Sequence, residues 1–86
     1  MSETLRIESK SSWDAVALTQ RIAAYNWYLI QPRSDRWWVC LEFEEEQTSI
    51  SDDLLKRVQD WLHDRDLPEA VLHMSDREYT ITDQRA

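Results

Sequence analysis

The sequence predicts an α+β protein, a two-layer α/β sandwich in which one antiparallel sheet carries two helices on the same face. Three observations predict it. Short runs with apolar residues at every second position are interleaved with two stretches whose apolar residues recur every three or four. The order of those runs is β-α-β-β-α-β, the ferredoxin-like layout. A chain of 86 residues suffices for one core and not for two, so residues 1–86 read as a single domain.

The first strand is signalled by Leu5 and Ile7 alternating with Thr4, Arg6 and Glu8. Ser11 or Ser12 can cap the helix that follows, with Asp14 in its first turn. Ala15, Leu18, Ile22 and Tyr25 then form one apolar stripe, and Asn26 can end the helix. Residues 27–31 and 37–44 are β-prone runs on either side of Pro32-Arg33-Ser34-Asp35-Arg36, which predicts a hairpin. The second helix has the strongest signals: Ser51 as N-cap, Asp52 and Asp53 where the dipole favours negative charge, and Ile50 and Leu55 at staple positions. Leu55, Val58 and Leu62, beside Leu54 and Trp61, make its buried stripe, and Pro68 stops it. Residues 70–82 suit one long strand or a hairpin turning at Asp76-Arg77, which would add an extra C-terminal strand.

Composition narrows the function classes. Glycine is absent, which excludes the glycine-rich phosphate loops of dinucleotide and nucleotide binders. Cys40 is the lone cysteine, so no internal disulfide can form and a reducing, cytoplasmic setting is expected. No apolar run approaches the roughly 20 residues that cross a bilayer, and no signal-peptide pattern opens the sequence, so no membrane partner is expected. The net charge of -7 is uneven: residues 1–41 carry +1 and residues 42–86 carry -8.

One feature has physical leverage. Successive side chains of a strand point to opposite faces, so Trp37, Val39, Leu41 and Phe43 share one face and Trp38, Cys40, Glu42 and Glu44 the other. The glutamates mark the second set as facing away from the helices. Trp38 should therefore stand on the open face of the sheet with Cys40. An even-numbered hairpin loop would place Trp27 and Leu29 beside them, and an odd-numbered one Tyr28 and Ile30. Either way an apolar patch of a few hundred Å² results, whose covering would contribute about 5–10 kcal/mol before association costs. Patches of that size usually mark contact sites.

Catalytic and metal chemistry find little support. His63 and His73 have no metal-ligand spacing with each other or with Cys40, so neither metal nor cofactor is expected. Asp60 and Asp64 are one helical turn apart, but Lys56 and Arg57 interleave with them as on a solvated helix face. Cys40 would need a nearby base such as His73 and an electropositive setting to act as a nucleophile. Aromatic side chains on an open sheet face can stack RNA bases, but the net charge opposes phosphate binding, so nucleic acid is not the expected partner.

The sequence thus points to a non-catalytic protein-binding domain of regulatory, adaptor or chaperone type. Its open face would form a homodimer or dock a protein partner through Trp38, Cys40 and Trp27 with Leu29 (or Tyr28 with Ile30), rimmed by Arg33 and Arg36. An alternative is an inhibitor or immunity-type protein. There an acidic face of Glu44, Glu45, Glu46, Asp52, Asp53, Asp60 and Asp64 would block the basic site of a nuclease or nucleic-acid enzyme.

Overall fold

A computed structural model describes residues 3–44, 51–74 and 77–83. In chain order they form β1 (Glu3–Ser9), α1 (Ser12–Arg21), β2 (Trp27–Arg33), β3 (Arg36–Phe43), α2 (Asp52–Asp64), β4 (Glu69–Met74) and β5 (Arg77–Thr82). All neighbouring strands are antiparallel, in the order β2-β3-β1-β4-β5. The inner order β2-β3-β1-β4 is the ferredoxin-like one, and β5 adds an edge to it. Among the described residues no helix is long and apolar enough to cross a membrane.

Alternation along each strand builds the core. Leu5 and Ile7 of β1, Val39 and Leu41 of β3, and Ala70, Leu72 and Met74 of β4 face the helices and are buried. Ala15, Leu18 and Ile22 meet them from α1, and Leu54, Val58, Trp61 and Leu62 from α2. Ser11 caps α1 by accepting the N–H groups of Trp13 and Asp14, and Ser51 caps α2 by accepting that of Leu54. The two helices are tied by Trp61, whose indole Nε1 donates to the Asp14 carbonyl at 2.8 Å, and by Arg65, whose Nε donates to the Asp14 carboxylate at 2.7 Å.

Three boundaries differ from the sequence expectation. Helix α1 ends at Arg21 with Ile22 as C-cap, so Tyr25 lies beyond it, its ring edge-on to Phe43. Helix α2 is stopped before Pro68 by a backbone reversal at Asp66, which has φ 54°. The Leu67 N–H reaches the Leu62 carbonyl and the Asp66 N–H the His63 carbonyl, the two bonds of a Schellman motif, with Asp where glycine is usual. In the last hairpin Met74 pairs with Arg77, which belongs to β5, and Asp76, expected in the turn, lies outside the described residues.

The fifth strand also shifts the helical layer. Helix α1 packs on β3 and β1, and α2 packs on β5. Two helices about 10 Å apart cover about four strand spacings of 4.8 Å. Strand β2 is left as an overhang, more than a third exposed at every position but Leu29.

Candidate interaction face

The open face is assembled from β2 (Tyr28, Ile30), β3 (Trp38, Cys40, Glu42), β1 (Thr4, Arg6, Glu8), β4 (Val71, His73) and β5 (Glu78, Thr80). Trp38 stands here and not beneath the helices, as the alternation of Trp37 and Trp38 requires. The rest of the site depends on the β2–β3 register.

The hairpin loop has two residues, Ser34 and Asp35, between paired Arg33 and Arg36. Without further irregularity, that even count would have turned Trp27 and Leu29 outward. A bulge between Ile30 and Arg33 shifts the register by one, so that Tyr28 pairs with Cys40 and Ile30 with Trp38. Pro32 lies in this stretch and has no N–H to give the ladder, which favours an irregularity there. One slipped residue exchanges the faces of a strand. Trp27 and Leu29 therefore lie on the helix side, opposite Leu41 and Val39, and the outward pair is Tyr28 and Ile30, 40% and 45% exposed.

The inner part of the open face is covered by the chain's own side chains. The Arg6 guanidinium carbon lies 5.3 Å from the centroid of the Trp38 ring, and the His73 ring meets Trp38 edge-on at 5.1 Å. Trp38 is half-buried as a result. His73 Nε2 lies 3.5 Å from Glu8 Oε2, and Arg36 holds the other oxygen of Glu8 at 3.2 Å. Cys40 has no exposed surface, which removes it from the contact residues. Burial pushes its thiol pKa up, outweighing the opposite pull of Tyr28 and Arg6. Cys40 and His73 pair with the same residue, Arg6, from its two sides. They are thus two strand spacings apart, about 10 Å, and do not form a nucleophile–base pair.

The acidic residues do not make one free surface. Asp53 accepts from the Tyr25 hydroxyl at 2.7 Å and from Arg57 at 2.9 Å, and Asp64 is ion-paired with Arg21. The Tyr25 and Arg57 hydrogen bonds hold the Asp53 carboxyl below its ordinary range. Asp52 and Glu44 are exposed and Asp60 is half-buried, while Glu45 and Glu46 lie outside the described residues. Among the described residues no group of three or more metal-ligating side chains comes together.

Several residues were not assigned to this face, or to the exposed surface, from the sequence. Arg6 and Glu8 come beside Trp38 only because β1 pairs with β3, and His73 reaches it from β4, on the far side of β1. Trp13 is the most exposed tryptophan, at 77%. Its position opposite the Ala15–Leu18–Ile22 stripe on the helical wheel was a usable signal.

No family model and no curated protein matches the sequence. Among solved structures the chain is similar to a phage SAM lyase in complex with S-methyl-5'-thioadenosine. Identity is 12%, the alignment covers 94% of this chain and 89% of that one, and the TM-score is 0.49. That likeness carries no argument about activity.

Proposed function

We propose that the protein is a non-catalytic protein-binding domain of regulatory, adaptor or chaperone type, working through the β2 side of its open sheet face. The observation that carries this reading is the adjacent exposure of Tyr28 and Ile30 on a strand that neither helix covers. Large apolar side chains side by side on one face cost solvation free energy until a partner covers them. The exposed edge of Trp38 continues the patch, and Arg33 rims it. Lone Cys40, unpaired, fits work in a reducing compartment such as the cytoplasm. The acidic-face alternative is weakened by the engagement of Asp53 and Asp64 with the chain's own cations.

The test is quantitative binding of a purified partner, first captured on wild-type protein and then titrated against wild type and Ile30→Asp. The reading expects Ile30→Asp to weaken binding at least about tenfold at unchanged circular dichroism. It also expects little change in affinity between low and high salt, because apolar contacts are not screened. Equal affinity for both proteins, or steep weakening by salt, would reject this face in favour of the carboxylates.

A further inference from the structure

We propose that the partner of this face is a second copy of the chain, joined through β2 as an antiparallel edge-to-edge pair centred on Tyr28. The two five-stranded sheets then run on as one. The proposal rests on the protein-binding reading above and names its occupant.

The backbone of β2 supplies the first argument. The Glu42 N–H donates to the Asn26 carbonyl at 2.9 Å, which makes Asn26 and Glu42 a hydrogen-bonded pair. Such pairs alternate along an antiparallel ladder. Tyr28 and Ile30 therefore also bond to β3, while Trp27 and Leu29 turn their N–H and C=O groups to the outer edge, where no strand of the described residues pairs with them. Natural edges are guarded by charge, proline or a bulge. On β2 those guards begin only past Ile30, with the bulge and Pro32, and Trp27-Tyr28-Leu29-Ile30 has none. The opposite edge, β5, carries Arg77 and Glu78 and alternates with threonines.

The unguarded stretch is self-complementary in one register. With Tyr28 opposite its own symmetry mate, Trp27 faces the partner's Leu29 and Leu29 the partner's Trp27. The edge-directed groups then make four N–H···O bonds. Trp27 packs on the partner's Leu29 on the helix side, and the two Tyr28 side chains meet on the open face. A two-fold axis normal to the sheet keeps like faces together.

Charge permits the pairing although each chain carries -7. Helix α2 packs on β5 at the far side of the sheet, and part of its charge is met within the chain, Asp53 by Arg57 and Asp64 by Arg21. Four strand spacings, about 19 Å, separate β5 from β2, about twice the Debye length near 0.1 M salt. The ladder is short and buries less than a standard interface, so a Kd of about 1–100 µM is expected.

The test is sedimentation velocity over a concentration series, with site-directed cross-linking. Wild type should move from the 10.4 kDa monomer towards twice that mass by about 100 µM. Tyr28→Arg, which sets like charges opposite each other at the axis, should stay monomeric with unchanged circular dichroism. In a Cys40→Ser background, Tyr28→Cys should cross-link to a covalent dimer under mild oxidation. Directly opposed residues of a non-hydrogen-bonded pair have the separation a disulfide needs. Glu78→Cys, on β5, should not cross-link. A wild type that stays monomeric to about 100 µM overturns the proposal while leaving the heterologous reading intact. A dimer that persists in Tyr28→Arg, or one that Glu78→Cys cross-links and Tyr28→Cys does not, also overturns it.

Discussion

Tyr28 stands directly across the β2–β3 ladder from Cys40, and the thiol beneath it has no exposed surface. The sole cysteine is thereby a reporter of the open face. Native protein should react with an aromatic disulfide reagent at least about 100-fold more slowly than unfolded chain, since reaction awaits local opening. Tyr28→Ala should raise that rate at least about tenfold. Because burial raises the thiol pKa above its ordinary 9.0, the neutral form is the one the fold favours. Its contribution to stability is complete below pH 9.0 and declines as pH rises through the raised value, which urea titrations at increasing pH would detect.

The left-handed residue closing α2 predicts a stabilising substitution. Asp66 has φ 54°, where a side chain costs energy that glycine does not pay. Asp66→Gly should raise stability by about 0.5–1 kcal/mol, the relief of strain exceeding the added freedom of the unfolded chain. A higher urea midpoint at unchanged slope is the expected reading, and no gain would argue against the Schellman geometry.

Trp61 predicts a loss of two separable sizes. Its ring is buried and its Nε1 donates to the Asp14 carbonyl at 2.8 Å. Trp61→Phe keeps much of the apolar volume but removes the donor, and should cost about 1–3 kcal/mol. Trp61→Ala should cost about 3–5 kcal/mol. Arg65→Ala, which removes only a partly exposed ion pair with Asp14, should cost less than about 1 kcal/mol. Chemical denaturation orders the three.

Asp53 ties Tyr25 to α2, and its carboxyl pKa is lowered by the Tyr25 hydroxyl and then by Arg57. A lowered carboxyl pKa gives stability that is present above the ordinary 3.8 and is lost as pH falls through the folded value. Wild type should therefore lose stability with acid more steeply than Tyr25→Phe, in which the first of those partners is gone. Parallel acid titrations of the two proteins would exclude this role for the hydroxyl.

Trp38 is the remaining test of the open face as a packed surface. In contact with both Arg6 and His73, it is half-buried. Trp38→Ala should cost about 2 kcal/mol, about half the loss typical of a fully buried aromatic. Ile30→Asp, on the same face but exposed, should change stability by less than about 0.5 kcal/mol.

The sequence by itself determined what local backbone geometry controls. Ser51 and the two aspartates after it mark the start of α2, the apolar stripes name the core, and the order of elements leads to the two-layer layout. Adjacent Trp37 and Trp38 had to part to opposite faces because strand side chains alternate whatever surrounds them. Only the tertiary structure decided the rest. A bulge next to Pro32 turned Tyr28 and Ile30 outward in place of Trp27 and Leu29, and loop-length parity alone could not reveal it. The overhang of β2 depends on where β5 draws the helical layer, and the burial of Cys40 on Arg6 and Tyr28 arriving from neighbouring strands. Cross-strand neighbours are set by pairing between distant segments, and no local pattern encodes which side chains that pairing brings together.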